Sequence, residues 1–337
     1  MLYILILTPR CNSNCRYCGG FEEGIMPEKI QYGIEDLKEF VGEASIAFYG
    51  GEPLLEINKM KEIMDKIKAE RFILQTNGIL LDQIDESYLK KFSTILVSFD
   101  GREGVHELYR GNYEKVLKNA RRIKGYCGEL IARMTASLDT DIYEDVMHIL
   151  SLDTFTHVHW QIDAVWSKFT LREFEKWVEK YNEGVRKLVK FWINEILAGR
   201  IHRIVPFMGV ATALFESYPY PPCASGFESF AISTDGRVLA CPICPDLDWN
   251  CLGDIYSGIK KSLEVLDPCP RCNYFRFCGG RCLFFNRERF WGDEGFKLVC
   301  STVKNLVDSL LAYKDQLAKY KEQIKYPKFL NTTEIIP

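Results

Sequence analysis

The chain has 337 residues, 43 Lys and Arg against 46 Asp and Glu, a formal charge of −3 and 47% hydrophobic content. That length allows one large domain or two medium ones with a substantial core, and near-neutral charge leaves no footprint for nucleic acid or an anionic membrane. An aromatic content of 13% excludes a disordered chain.

Residues 2–7 (LYILIL) are an apolar run suited to a buried parallel strand. The run is too short to span a membrane and lacks the basic flank of a signal peptide. A cytoplasmic protein is therefore expected, in which 13 cysteines point to metal ligands or catalysts rather than disulfides. Pro27 to Val41 predicts a helix with Pro27 in its first turn. Strand 45–49 ends at Gly50-Gly51 and is followed by helix 58–68. Next come strand 72–75, the turn Thr76-Asn77-Gly78, helix 86–92 and strand 95–99. Helix 113–124, strand 130–137, helix 143–150 and strand 157–162 complete the alternation.

Six strands separated by helices predict a parallel sheet. They are too few for a closed eight-unit barrel, so the α/β body is expected to be a partial (β/α)6 TIM-like barrel over residues 1–200. Its strand C-termini carry residues 11–18, 50–53, 76–78 and Asp100 to one mouth. A long helix follows over 171–197, then a proline-containing bridge over 201–222. A small cysteine-rich domain is expected over 223–300, with an amphipathic helix, 301–324, leading the C-terminal 301–337.

The cysteines divide unevenly. Cys11, Cys15 and Cys18 stand at the front and Cys127 stands alone, as a thiol expected to be buried. Nine more, from Cys223 to Cys300, crowd into 78 residues. Closely spaced, all-thiolate sets suit iron–sulfur clusters or zinc. Three thiolates leave one iron of a four-iron cube open to a ligand from outside the protein. Taken singly, Gly50-Gly51 and Thr76-Asn77-Gly78 are also ordinary turn signals, and Asp100 is a possible cap. His157 and His159 share a strand face and are not read as ligands.

The spacing Cys11-x3-Cys15-x2-Cys18 after a first strand, with Tyr17 before the last cysteine, resembles the radical SAM superfamily. Tyr49-Gly50-Gly51-Glu52-Pro53 resembles the strand end that receives the methionine amino group of S-adenosylmethionine (SAM) there, and Thr76-Asn77-Gly78 the turn after its third strand. Ser98-Phe99-Asp100-Gly101 with His106 and Arg110 resembles a stretch of the peptide- and protein-modifying branch. Arg133 stands where that family often places an arginine on the SAM carboxylate. The run Cys223-x12-Gly236-x4-Cys241, then Cys269-x2-Cys272-x5-Cys278-x3-Cys282 and Cys300, resembles the SPASM extension.

The resemblance implies three 4Fe–4S clusters. One is SAM-binding on Cys11, Cys15 and Cys18. A distal auxiliary cluster would sit on Cys269, Cys272, Cys278 and Cys300, and a nearer one on Cys223, Cys241 and Cys282. The nearer cluster's fourth ligand is Cys244, Cys251 or none, with Cys244 favoured for its C-x2-C spacing to Cys241. The family further implies reductive cleavage of SAM to a 5′-deoxyadenosyl radical and modification of a peptide or protein by cross-linking, oxidation or epimerisation. It also implies a low-potential donor such as flavodoxin or ferredoxin. Pro242 occupies the position after Cys241 where the sulfatase-maturing branch has Asp, which weakens a formylglycine product. With the first strand at residue 2, no winged-helix leader binder is expected ahead of it, so the precursor is expected to be held by the barrel mouth, the bridge 201–222 and the cysteine module, or by a separate recognition protein. A small-molecule substrate, or an iron–sulfur or zinc protein without SAM chemistry, are the alternative readings.

Overall fold

The computed structural model describes residues 1–163, 168–289, 291–326 and 337. Six parallel strands form its body: β1 (Leu2–Ile6), β2 (Ser45–Tyr49), β3 (Phe72–Thr76), β4 (Phe92–Ser98), β5 (Glu129–Ala136) and β6 (His157–Ile162). Between them run α1 (Ile34–Val41), α2 (Ile57–Lys66), α3 (Glu86–Leu89), α4 (Glu103–Tyr109), α5 (Tyr113–Ile123) and α6 (Ile142–Ser151). The partial α/β barrel read from the sequence is present.

β1 shows why its run is continuously apolar. Tyr3 and Leu5 pack in the large core under the helices, while Leu2, Ile4 and Ile6 face a smaller core. One residue each from β2, β3, β4 and β5 (Ala47, Ile73, Leu96, Ile131) joins that inner core on the same face of the sheet. Strand alternation then aims Gln75, Ser98, Arg133 and Thr135 to the same interior, nearer the C-terminal ends. The barrel is thus apolar at its base and polar towards its mouth.

Several boundaries differ from expectation; the helix expected over 86–92 ends at Leu89, and the next strand begins at Phe92 rather than residue 95 because Phe92 is buried in the sheet. α1 starts at Ile34, not at Pro27, because the preceding segment is held by a later turn: Thr234 Oγ1 donates to the Pro27 carbonyl at 2.6 Å and Gln31 N to the Thr234 carbonyl at 2.8 Å. The last long helix starts at Gly292, well before residue 301, and ends at Leu311. Asp293 and Glu294 in its first turn suit the positive end of the helix dipole. Helix α4 was not foreseen.

After α7 (Leu171–Leu197), opened by a Thr170–Glu173 capping box, the bridge contains α8 (Val205–Ala213). Every residue of α8 is buried, as a helix apolar on all sides requires, and its one polar side chain, Thr212, donates to the Met208 carbonyl at 2.8 Å. The sheet then continues across the expected boundary. β7 (Ser229–Ile232) pairs parallel with β1, and β8 (Arg237–Leu239), β9 (Cys251–Asp254) and β10 (Gly258–Ile259) add antiparallel strands, giving ten in one sheet. Gly236 has φ 87° in the β7–β8 turn, which explains the glycine of the cysteine motif. The cysteine-rich end closes with α9 (Phe275–Cys278), α10 (Leu283–Glu288) and α11 (Gly292–Leu311). Among the described residues no helix is long and apolar enough to cross a membrane.

Candidate functional site

At the mouth, the loop after β1 is locked to the end of β2. Gly51 N donates to the Thr8 carbonyl at 3.0 Å and Glu52 N to the Arg10 carbonyl at 2.8 Å. A Cβ on Gly50 would lie 2.3 Å from the Thr8 oxygen, and one on Gly51 2.3 Å from the Arg10 oxygen. Both glycines are therefore required by backbone contact with the start of the cysteine loop. Pro53 opens a short 3-10 turn directly behind them.

Glu52 is fully buried. Its Oε1 accepts from Leu54 N at 3.0 Å and Thr76 Oγ1 at 2.8 Å, and its Oε2 from Asn77 N at 2.8 Å. Burial pushes its pKa up to about 7, although these three bonds pull the other way. The carboxylate thus braces the ends of β2 and β3. Asn77 carries the brace onward, donating from Nδ2 to Asn12 Oδ1 at 2.7 Å and lying 3.9 Å from Cys11 Sγ.

A second buried carboxylate, Asp100, sits under the other side of the loop. Its Oδ1 accepts from Thr135 N at 2.9 Å, and its Oδ2 from Arg110 Nε at 2.8 Å and from the Tyr17 hydroxyl. Neither Asp100 nor Tyr17 opens on the mouth; both act from beneath it. Tyr17 stacks on Tyr109 at 5.3 Å. His106 accepts from Asp100 N at 3.2 Å through Nδ1 and lies 3.1 Å from the Gly111 carbonyl through Nε2. Burial lowers its pKa to about 4, so it is a neutral structural group. Arg133 is half-buried on the interior face and donates to Gln161.

Cys11 and Cys18 are exposed and Cys15 half-buried. Gly20 N lies 3.3 Å from Cys18 Sγ and Ser13 Oγ 3.5 Å from Cys15 Sγ. Burial raises the Cys11 pKa, and the charges of Glu52, Cys15 and Cys18 add to the rise.

The rear cysteines are arranged differently. Cys269, Cys272, Cys278 and Cys300 line one cavity of about 40 Å³, walled also by Phe285, Phe296 and Arg281. Burial raises the pKa of Cys269 to about 12 and of Cys278 to about 11, each pushed further by neighbouring thiolates. Asn286 Nδ2 points at Cys269 Sγ from 3.4 Å. Among the described residues no three His, Cys, Asp or Glu side chains converge tightly enough to chelate a single metal ion. Four thiols around a cavity fit a polynuclear group that places its own atoms between them.

Cys241 and Cys244 bracket a loop tied by buried Asn250. Its Oδ1 accepts from Cys241 N at 2.8 Å, and its Nδ2 donates to the carbonyls of Cys241 and Cys244 at 2.8 and 2.7 Å. Cys244 packs in the large core that also contains Cys269 and Cys282, whereas Cys251 packs against the inner barrel core. Cys223 is half-buried ahead of β7. Cys127 is half-buried, 3.4 Å from the Glu129 carbonyl, with its pKa raised to about 11 by burial. Sequence reasoning missed the roles of Thr135, Asn250 and Asn286, since no spacing rule marks a lone polar residue that meets its partner only in the fold.

Residues 5–152 match the family described as the radical SAM superfamily. The chain carries a radical SAM domain. Such a domain implies SAM and a 4Fe–4S cluster, and a cysteine-rich region follows it in the chain. The chain is 24% identical over 317 residues to a cysteine-type anaerobic sulfatase-maturating enzyme of Clostridium perfringens, covering 81% of this chain and 85% of that one. It is 27% identical to the radical SAM cyclopropyl synthase TigE of Paramaledivibacter caminithermalis, covering 94% and 75%. Among solved structures, native anSMEcpe with bound AdoMet superposes with a TM-score of 0.71 at 23% identity, covering 96% of this chain and all of that one. Streptococcus suis SuiB bound to its precursor peptide SuiA gives 0.54 at 13% identity, covering 83% and 71%. These two similarities describe the fold the radical SAM domain and its extension share.

Proposed function

We propose that this radical SAM enzyme cleaves SAM reductively at Cys11, Cys15 and Cys18 and uses the product radical to modify a peptide or protein. The observation that carries the reading is the convergence at one barrel mouth of the three-thiol loop, the Gly50–Pro53 strand end, Thr76 and Asn77. Three thiolates from one loop suit a four-iron cube with a vacant corner. When bound, that cluster would supply one electron to the SAM sulfonium and so generate a 5′-deoxyadenosyl radical.

The chain's own residues bind and orient. Backbone at Gly50–Glu52 presents polar groups at the end of β2 for the methionine amino group. Glu52 keeps that edge and the Thr76–Gly78 turn in register, and Arg133 offers a guanidinium on the interior face for the carboxylate. Asp100 contributes through Tyr17 and Arg110, which it holds. Fixing SAM and the target carbon in one geometry supplies the proximity term.

Two auxiliary 4Fe–4S clusters are assigned to the rear. Cys269, Cys272, Cys278 and Cys300 surround the distal site. Cys223, Cys241 and Cys282 would hold the nearer one, with Cys244 its fourth ligand on its C-x2-C spacing to Cys241. A peptide substrate is supported by relatives and neighbours whose names carry sulfatase maturation or a bound peptide. Pro242 argues for a product other than formylglycine. A flavodoxin or ferredoxin would donate the electron, and a separate recognition protein could deliver the precursor.

The test is anaerobic reconstitution with iron and sulfide, then dithionite, SAM and candidate precursor peptides, followed by mass spectrometry. Production of 5′-deoxyadenosine with a mass change on a peptide is expected. Absence of any 5′-deoxyadenosine from protein holding its full iron complement would overturn the reading.

A further inference from the structure

We propose that Arg110 is a positioning residue for the front cluster: a buried cation that leans on the Cys15 sulfur and sets the potential at which the cluster accepts its electron. The proposal rests on the assignment of Cys11, Cys15 and Cys18 to a cluster and adds a residue that no thiolate motif contains.

Arg110 follows α4 directly, and its side chain is only 12% exposed. Three edges of its guanidinium are engaged at once. Nε donates to Asp100 Oδ2 at 2.8 Å, Nη2 to Thr135 Oγ1 at 3.2 Å, and Nη1 lies 3.8 Å from Cys15 Sγ. Its plane lies 5.1 Å over the Tyr17 ring. The loop is tied to the same element by Arg16 N, which donates to the Tyr109 carbonyl at 3.0 Å. Arg110 and the cysteine loop are therefore tied at both backbone and side chain.

The order of charges decides the sign. Asp100 meets the Nε edge and the sulfur meets the Nη1 edge, so the cation stands between the carboxylate and Cys15. A guanidinium stays charged when buried. Here burial opposes the charge, while Asp100, Tyr17 and Cys15 favour it, leaving the pKa of Arg110 raised. Cys15 consequently faces the positive end of a fixed ion pair in a site of low dielectric. One electron from an external donor makes the sulfur-ligated group more negative, and no proton need accompany it. A nearby positive charge stabilises that reduced form and raises its potential, since net charge and contacts to sulfur tune such clusters. Lysine, with a single point of charge, cannot reach three partners in one plane.

The experiment is EPR-monitored potentiometry of the reconstituted full chain, following the reduced-cluster signal that changes on adding SAM. In R110M, at the wild-type midpoint, the reduced-to-oxidised ratio is expected to fall by about tenfold, equivalent to about 59 mV for one electron. R110K, which keeps the charge, is expected to fall less. D100N, which leaves the cation unopposed, is expected to shift the other way. Opposite signs for R110M and D100N separate an electrostatic role from a structural one. An unchanged midpoint in R110M, or shifts of the same sign in both variants, would overturn the proposal. Should R110M fail to retain iron, D100N decides alone, a rise supporting the proposal and no rise refuting it. A wild-type protein without a SAM-responsive signal would remove the cluster assignment itself, a separate and recognisable result.

Discussion

In the front loop Cys11 and Cys18 are exposed, whereas in the rear Cys241, Cys244, Cys269 and Cys282 are buried. The front sulfurs ride on irregular backbone that is braced from behind by two buried carboxylates, Glu52 and Asp100. The rear sulfurs are set into helices and turns, with Phe285, Phe296 and Val299 walling the cavity of Cys269, Cys272, Cys278 and Cys300. A site that must admit and release a small molecule needs open sulfurs on a rigid support. A site that only stores or passes electrons can be enclosed.

The largest expected effect is at the front. Replacing Cys11, Cys15 and Cys18 by alanine should abolish 5′-deoxyadenosine formation while leaving the iron of the rear sites in place; iron analysis and product assay check both halves. The reciprocal change, C269A with C300A, should remove about four iron atoms per chain and yet leave substrate-free SAM cleavage largely intact. If SAM cleavage fell as far as in the front variant, the two regions could not be regarded as separable.

Glu52 sharpens the contrast through pH. Its folded pKa of about 7 lies above the ordinary 4.5, so the fold favours the protonated acid. Stability from this group is complete below pH 4.5 and is lost as pH rises to 7, a change on the order of 3 kcal/mol. Thermal melts of the cluster-free protein between pH 5 and 8 should show that slope, and E52Q should flatten it. In the rear, N250A leaves buried groups of the Cys241–Cys244 loop without partners and should cost on the order of 3 kcal/mol in denaturant unfolding. Y17F is the smallest change. It removes one of three bonds to Asp100, for a loss of about 1 kcal/mol with iron content unchanged.

The six parallel strands and the convergence of their C-terminal ends could be read from apolar runs at regular intervals, because a strand buried on both faces leaves a continuous signature. Gly50 and Gly51 were visible as a motif, but the contact that demands them, with the Thr8 and Arg10 carbonyls, was not. The start of α1 was misplaced because Thr234, some two hundred residues away, competes for the backbone at Pro27 and Gln31. Helix α4 escaped notice since its seven residues include Gly104 and hold little apolar pattern, although it delivers Arg110 to the cysteine loop.

What the chain's order of residues determined by itself was chemistry and local geometry: which thiols stand close along the backbone, which runs are strands, which turns need glycine. Those depend on neighbours within a few residues. Tertiary structure alone decided that β7 joins the edge of β1, that Cys244 and Cys251 face different cores, and that Asp100 and Arg110 meet beneath Cys15. Each of these is a meeting of distant segments, and burial sets its strength by removing the water that would otherwise screen or replace it.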